Sequence, residues 1–213
     1  FSPTKTPHSI TSEIRRGCLQ LVPDAVAVFV DREPIADAVI NKCTFNVGRY
    51  LQDHPGEMVL GWEVCVWDRV LLDCIGHAVV RAEGMLRCVS PSKYGDRQLL
   101  FVPDPSLSFD FDDPMARMPT KQVALSSRPD VKRLIEVEAQ ERAIKIKYPV
   151  SSGQLVVTGI DAVNIKRLAM EKQTLMLRVI LAMLDHASPC PCNSGKKFRK
   201  CHRGDIERMV RLG

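Results

Sequence analysis

The sequence predicts an α+β fold: a small antiparallel sheet with packed helices on one side, a helical arm and a short cysteine-rich module at the C-terminus. Before and after residues 57–104, the hydrophobic residues recur at helical spacing. Within residues 57–104, they form the short apolar or β-branched segments that are typical of strands. A length of 213 residues fits one large domain or a medium domain with an appendage. We therefore expect an α+β body over residues 1–115, a linker and helical arm over 116–187, and a separate module over 188–213.

Helical patterns lie on both sides of the predicted sheet. "TSEIRRGCLQLV" begins with a Thr/Ser cap and predicts a short helix, which the compact β-prone segment "AVAVFV" follows. A second helix is predicted from Pro34 to His54, where the sequence His-Pro-Gly ends it. Beyond the sheet we predict helices over about 130–147 and 161–186, with a loop between them.

Four apolar or β-branched segments, separated by Gly, Asp or Pro, predict antiparallel strands with short turns. They cover residues 57–68, 69–84, 85–91 and 97–104. Glu83-Gly84 is the expected tip of one hairpin. Residues 103–130 are rich in proline and aspartate, so we expect a linker or lid there rather than a packed element.

The positive charge is concentrated at the C-terminus. The chain has a formal net charge of +5, and between His186 and Gly213 the Lys and Arg residues exceed the acidic ones by the same amount. A body without excess charge argues against nucleic-acid binding along the whole surface. No apolar run reaches the roughly 18–20 residues that span a bilayer, so no membrane segment is expected. Eight cysteines without regular spacing or a signal peptide favour a reducing compartment, the cytoplasm.

The C-terminal stretch "CPCNSGKKFRKCHRG" contains the strongest functional signal. Cys190 and Cys192 flank a proline, and Cys201 and His202 follow after a Gly-containing turn. Thiolate sulfur and imidazole nitrogen are the ligands that zinc prefers, and a structural site needs four of them. Because the stretch has almost no apolar residue except Phe198, packing of these cysteines in a core is a poor alternative. The spacing predicts a zinc site.

These residues resemble the SEC-C motif, a short zinc module found at the C-terminus of the SecA preprotein translocase and appended to many bacterial proteins. The resemblance extends through the Gly-Lys-Lys-Phe centre to the closing Cys-His. It implies that Cys190, Cys192, Cys201 and His202 are the zinc ligands, and that the basic surroundings contact a protein partner. Nucleic acid is a weaker expectation, because Phe198 alone could stack on a base there.

The body offers a second candidate site. Cys43 lies in a predicted helix and His77 in a predicted strand, the arrangement in which a helix presents a thiol and a strand presents its base. This layout resembles papain-like thiol enzymes, and the phrase "GHAVVRAEGMLRCVSP" resembles the His-bearing hairpin of transglutaminase-like and related cysteine hydrolases. Residues 41–105 also resemble an uncharacterised bacterial domain that is often found beside SEC-C tails. The resemblance to cysteine hydrolases implies a nucleophile at Cys43 and a base at His77. Packing of an ordinary thiol in the core is the alternative.

The group that would orient His77 is left open by the sequence. The strand after the hairpin carries Cys88 where an acidic group is expected, so Asn46, Asp73 and Asp96 are the candidates. Two function classes follow. One is a cysteine hydrolase, that is, a peptidase, deamidase or amidase, with the zinc tail recruiting a partner or substrate. The other is a non-enzymatic adaptor that docks on a protein partner through the zinc tail.

Overall fold

The computed structural model describes four stretches of the chain: residues 4–151, 154–185, 187–192 and 194–212. Their contacts divide into two compact units. The unit that we call the body contains Thr4–Trp67 and Leu72–Val123, and the unit that we call the arm contains Asp68–Leu71 and Ala124–Gly213. Among the helices of the described residues, none combines the length and the apolar character needed to cross a bilayer.

The body combines helices with one mixed sheet. Its elements are α1 (Ser12–Leu21), β1 (Val28–Arg32), α2 (Cys43–Asp53), β2 (Glu57–Trp67), β3 (Leu71–Ala82), β4 (Met85–Cys88), β5 (Gln98–Pro103) and β6 (Thr120–Ala124). The strand order is β2-β5-β1-β4-β3-β6, and β2 also pairs with β3, so the first five strands of that order close into a small barrel. The predicted α+β class is confirmed. One detail differs, because β1 and β4 pair in parallel while β1–β5, β2–β5 and β3–β4 are antiparallel.

The β3–β4 hairpin has the predicted tip. Ala82 pairs with Met85, so Glu83 and Gly84 form the two-residue turn. Both have positive φ, 52° at Glu83 and 77° at Gly84. Such turns match the right-handed twist of the flanking strands, and glycine adopts the second position without strain.

Side chains of β3 alternate between two apolar clusters, as the two-residue period of a strand requires. Val79 lies in one cluster with Val30, Cys88, Leu99 and Phe101 from neighbouring strands. The residues on either side of Val79, Ala78 and Val80, lie in the other cluster, where they pack with Val47 of α2. The first cluster is therefore formed between strands, and the second fastens α2 to the sheet.

The predicted helix over Pro34–His54 is wrong in its first part, because α2 begins only at Cys43. Asp37 and Asn41 have positive φ values of 60° and 63°, which end any regular helix before that point. The Asn46 side chain instead binds the backbone of the preceding loop, accepting from Val39 N (3.0 Å) and donating to Val39 O (2.8 Å). A tertiary contact thus replaces the helical hydrogen bonds that the periodicity suggested.

Part of the predicted linker is also a packed element. Residues 120–124 form β6 at the edge of β3, and the Gln122 side chain donates to Asp73 Oδ1 at 2.9 Å. Just before β6 the chain passes very close to β3, where Gly76 N donates to Pro119 O at 2.7 Å. A Cβ atom at residue 76 would lie 2.8 Å from that carbonyl oxygen, so the approach requires glycine.

The arm unit is mainly helical. Its elements are α3 (Pro129–Lys145), the short strands β7 (Val150–Ser151) and β8 (Gln154–Leu155), α4 (Gly159–Met183) and α5 (Arg203–Leu212). Helices α3 and α4 pack together through Val131, Leu134 and Val137 of α3 and Leu168, Leu175 and Val179 of α4. Ion pairs such as Arg133–Glu171 (2.7 Å) and Lys172–Glu141 (3.0 Å) lie beside this contact. The predicted helical arm is a two-helix hairpin.

Candidate metal centre and the polar cluster of the body

The cysteine-rich segment after α4 folds back on itself as a small hairpin. Cys190 N donates to Lys196 O, and Phe198 N donates to Ser188 O, both at 2.8 Å. Gly195 has a φ of 72°, which lets the chain reverse between these two hydrogen bonds. The turn brings the Cys190–Cys192 pair next to Cys201 and His202.

The four predicted ligands converge on one point. The Sγ atoms of Cys190, Cys192 and Cys201 and a ring nitrogen of His202 all lie within 4.8 Å of one another. The shortest separations are 3.3 Å from His202 Nδ1 to the sulfurs of Cys190 and Cys201, and 3.6 Å between the sulfurs of Cys192 and Cys201.

These separations fit a tetrahedral zinc ion. With Zn–S bonds of about 2.3 Å and Zn–N bonds of about 2.0 Å, the edges of the tetrahedron measure about 3.8 Å between sulfurs and about 3.5 Å between sulfur and nitrogen. Three thiolates and one imidazole complete the coordination shell and leave no open position for a substrate. The donor set therefore suits a structural metal, which would supply folding energy to a segment with little apolar surface of its own.

The thiols at this centre do not ionise alike. Hydrogen bonds from the side chain and the backbone of Ser194 lower the pKa of Cys192 to about 6, with the Sγ atom 3.1 Å from Ser194 Oγ. Burial instead raises the pKa of Cys190, which lies inside the hairpin. Because a metal ligand must be a thiolate, Cys192 is the better prepared of the two to take up an ion.

Residues 188–204 match the SEC-C motif. The predicted resemblance of the tail is confirmed by this match and by the Cys/His cluster within it. The matched segment covers less than a tenth of the 213-residue chain. No curated protein and no solved structure matches the chain, so the resemblance of the body to cysteine hydrolases has no support from a relative.

The SEC-C segment has a small core of its own. Phe198 is fully buried, and the Arg203 guanidinium lies over its ring at 5.9 Å from the centroid. Ile206 of α5 is also buried, and α5 contacts α4. One aromatic ring and a few aliphatic side chains bury little surface for such a fold, so a bound metal would add to its folding energy.

The SEC-C segment carries a basic patch, which we define as Lys196, Lys197, Arg199 and Lys200. All four side chains are exposed. Two of the cations that follow are paired, Arg203 with Glu207 at 2.8 Å and Arg208 with Asp205 at 3.8 Å. Within the described residues, the structure gives the four patch cations no acidic partner.

His77 of the body has two polar neighbours, one at each ring nitrogen. Nε2 lies 3.2 Å from Cys88 Sγ, and Nδ1 faces Glu63 Oε2 at 3.6 Å. Glu63 in turn accepts from Arg32 Nη2 at 2.5 Å, and Arg32 Nη1 lies 3.4 Å from Cys88 Sγ. We call these four residues the polar cluster of the body.

The polar cluster is shielded from solvent. The Cys88 side chain is fully buried, and the side chain of Arg32 is 4% exposed. Burial lowers the pKa of His77 to about 3, and the Arg32 guanidinium contributes in the same direction. The imidazole is therefore neutral at pH 7, with one nitrogen that donates and one that accepts. Burial likewise raises the pKa of Cys88, so its thiol stays protonated.

Cys43, the predicted nucleophile, is the first residue of α2. It packs in the cluster of Ala78 and Val80, whereas His77 contacts Cys88, a member of the cluster on the other side of β3. Burial raises the pKa of Cys43, although hydrogen bonds with the backbone of Ala78 and Thr44 oppose the rise. Cys43 thus lies beside the backbone of Ala78, the residue after His77. The side chains next to the ring nitrogens of His77 are those of Cys88 and Glu63.

The three candidate orienting groups all have other partners. Asn46 binds Val39 and Ser90 Oγ, Asp73 accepts from Gln122, and Asp96 accepts from Ser92 Oγ at 2.9 Å. The carboxylate that faces His77 is Glu63, which the sequence reasoning missed. A signal for it existed, because Glu63 is a charged residue in the middle of the strand "EMVLGWEVCVW", where only a buried ion pair or a site would hold it.

Proposed function

We propose that the chain binds one zinc ion in its SEC-C segment and acts as an adaptor that docks on an acidic protein through the basic patch. The convergence of four soft ligand atoms within 4.8 Å of one another carries this proposal. A closed Cys3His site holds the hairpin rigid, so the patch cations keep a constant arrangement. Because three thiolates outweigh the charge of Zn2+ by one, the zinc site as a whole carries no net positive charge, and recognition depends on the basic side chains.

Metal content tests the first half of the proposal. Protein purified without added chelator should contain one zinc per chain by elemental analysis, and Cys192→Ser should reduce this value strongly. Cys65→Ser is the matched control, since Cys65 lies on β2 of the body, and it should keep the full zinc content. Absence of zinc from the wild-type protein, or equal loss in both variants, would contradict a SEC-C zinc site.

The basic patch is the proposed contact surface. Acidic proteins complement unpaired cations, and surface charge of this kind speeds association and selects partners. We expect a variant with all four patch residues changed to Gln to lose partner binding about tenfold or more. A control that removes the same charge elsewhere replaces four exposed cations of the body and α3: Arg15, Arg16, Lys121 and Lys132.

Affinity capture compares the wild type with these two variants, in lysate with and without nuclease treatment. The proposal predicts a set of acidic proteins that the wild type and the control retain and the patch variant loses. If the patch variant captures the same proteins, the patch is not the docking surface. If nuclease abolishes the capture, the partner is a nucleic acid instead.

The cysteine hydrolase with Cys43 and His77 is the second candidate function. It is supported by the position of Cys43 at the N-terminus of α2, where the helix dipole favours a thiolate, and by the backbone of Ala78 beside its sulfur. In this proposal His77 takes the proton of Cys43, the thiolate attacks the carbonyl carbon of an amide or ester, and the amine or alcohol leaves with the proton from His77. Water then releases the acyl group as a carboxylic acid and restores the thiol. The side-chain neighbours of His77 favour the adaptor over this candidate.

Thiol reactivity separates the two candidates. A hydrolase requires Cys43 to react with iodoacetamide faster than an ordinary thiol at neutral pH, and His77→Ala to remove the excess rate. Peptide mapping of the labelled protein identifies the residue. Labelling of Cys43 no faster than a model thiol would rule out the hydrolase and leave the adaptor.

We place the protein in the cytoplasm. All eight cysteines are free thiols in the structure, including the three in the proposed zinc site. A thiolate metal centre persists where glutathione and thioredoxin keep thiols reduced.

A further inference from the structure

Helix α4 carries a second apolar stripe that faces away from α3. Its members recur at alternating intervals of three and four residues, which is the heptad spacing of a coiled coil. We call this set the outer stripe: Ile160, Val163, Arg167, Met170, Thr174, Leu177 and Leu181. At 100° per residue the stripe is about 100° wide, and its centre lies about 130° around the axis from the residues that pack on α3.

The outer stripe is open in the first half of the helix. Ile160 is 73% exposed, Val163 is 62% exposed and Met170 is 64% exposed. Leu177 and Leu181 are half-buried further along the same face. A soluble chain rarely presents several large aliphatic side chains in a row to water unless another surface covers them.

We propose that the outer stripe pairs with the outer stripe of a second copy of this chain in a parallel two-stranded coiled coil. Residues 160–181 contain three heptads, the shortest length over which such a pattern indicates a coiled coil. The stripe exposes enough side chain for two copies to bury on the order of 1,000 Å2, the lower size of a specific interface.

The charges beside the stripe select a parallel pair. Lys166 and Glu171 lie at the two positions that flank the seam. In a parallel coiled coil, Lys166 of one helix faces Glu171 of the other helix. Lys166 is exposed, and the structure gives it no acidic partner within the described residues. The Arg133 side chain hydrogen-bonds to Glu171 and lowers the pKa of that carboxyl, so Glu171 is an anion in the assembled dimer.

Two members of the seam are polar, Arg167 and Thr174, and both occupy the same heptad position. Polar residues there weaken a coiled coil and favour two strands in register. The dimer should therefore be weak enough to dissociate on dilution. In a parallel pair both α4 helices end on the same side, which places two SEC-C segments and two basic patches together. A partner with two acidic sites would then bind with higher avidity.

Sedimentation analysis over a range of micromolar concentrations tests the pairing. The wild type should approach twice the chain mass of 23.9 kDa as concentration rises. Val163→Glu combined with Met170→Glu should remain monomeric, and Ala169→Glu, an exposed residue outside the stripe, should dimerise like the wild type. A wild type that stays monomeric throughout, or a charged-seam variant that still dimerises, would overturn the proposal.

A gain of stability provides a test that does not depend on a disruptive variant. Arg167→Leu replaces a polar seam residue by an apolar one and should tighten the dimer about tenfold or more. If circular dichroism shows that the charged-seam variant is unfolded, the Arg167→Leu variant provides the test. An unchanged dissociation constant in Arg167→Leu would overturn the pairing. Ile160→Cys tests whether the two helices are parallel, because only a parallel pair brings the two introduced thiols together. Mild oxidation should give a disulfide-linked dimer that the wild type does not form. If the variant dimerises but no disulfide-linked dimer forms, the parallel orientation is overturned.

Discussion

At the scale of single residues, burial decides what the polar side chains of the body do. His77 lies between a thiol, Cys88, and a carboxylate, Glu63, and this set of side chains resembles catalytic machinery. Its side chain is 9% exposed and its neighbour Cys88 is fully buried. A buried neutral imidazole that links three strands contributes to stability, and this contribution depends on pH.

We expect the body to lose stability on acidification through His77. Its folded pKa of about 3 lies below the ordinary value of 6.5, so the unfolded chain binds a proton more readily. This contribution is therefore complete above pH 6.5 and falls by about 1.4 kcal/mol per pH unit between the two values. Urea unfolding followed by tryptophan fluorescence at pH 7, 6, 5 and 4 measures it. His77→Gln should flatten the profile, and His54→Gln, at an exposed position, should not; equal slopes in all three proteins would contradict the assignment.

Asn46 has a structural role that can be measured as well. Its amide makes three hydrogen bonds, two with Val39 and one with Ser90 Oγ at 3.0 Å. Asn46→Ala leaves the partners of these hydrogen bonds unpaired, including the buried Ser90 hydroxyl, and should reduce the free energy of unfolding by about 2–3 kcal/mol. Gln52→Ala on the exposed face of α2 should change it by less than about 0.5 kcal/mol. A loss in Asn46→Ala no greater than in the control would mean that the loop before α2 does not depend on Asn46.

At the scale of elements, turns and close approaches define the body. The β3–β4 turn needs two consecutive residues with positive φ, and its first position is a glutamate with φ of 52°. A residue other than glycine, asparagine or aspartate is strained there. A residue better suited to positive φ at position 83 should therefore stabilise this turn.

Glu83→Asn should raise the free energy of unfolding of the body by about 0.5 kcal/mol, because asparagine tolerates the left-handed conformation and Asn-Gly favours this turn type. Thermal or urea unfolding of the purified variant measures the change. Glu83→Gln removes the same charge without that preference and should give no gain. An equal effect of both substitutions would attribute the change to charge rather than to backbone conformation.

At the scale of the whole molecule, the two compact units have different sources of stability. The body has its own apolar clusters, while the SEC-C segment of the arm unit has one buried aromatic ring and a Cys/His cluster suited to a metal ion. Both tryptophans, Trp62 and Trp67, belong to the body, so their fluorescence reports on that unit alone.

Removal of zinc should therefore unfold the SEC-C segment and leave the body folded. Treatment with a strong chelator, or Cys192→Ser, should reduce the helical signal in circular dichroism while the tryptophan melting curve stays within about 2 °C of the untreated protein. Readdition of zinc should restore the helical signal. A large shift of the tryptophan transition on chelation would show that the body needs the metal centre.

Local pattern determined much of this protein. The ligand set Cys190, Cys192, Cys201 and His202, the four main strands and the Glu83-Gly84 turn all follow from residues that are close in sequence. These features depend on the spacing of metal-ligand residues, the alternation of apolar residues and the backbone preferences of single residues. Each of these acts over a few residues, so it can be recognised in the sequence alone.

The tertiary structure decided the rest, because it depends on residues that are distant in sequence. Helix α2 begins late because Asn46 holds a loop, β6 exists because it pairs with the edge of β3, and His77 faces Glu63 because a closed sheet brings β2 beside β3. The same reason separates the two candidate functions. The four residues of the Cys/His cluster lie within thirteen residues of sequence, and their convergence could be predicted, whereas the neighbours of His77 are set by strand pairings that no local pattern contains.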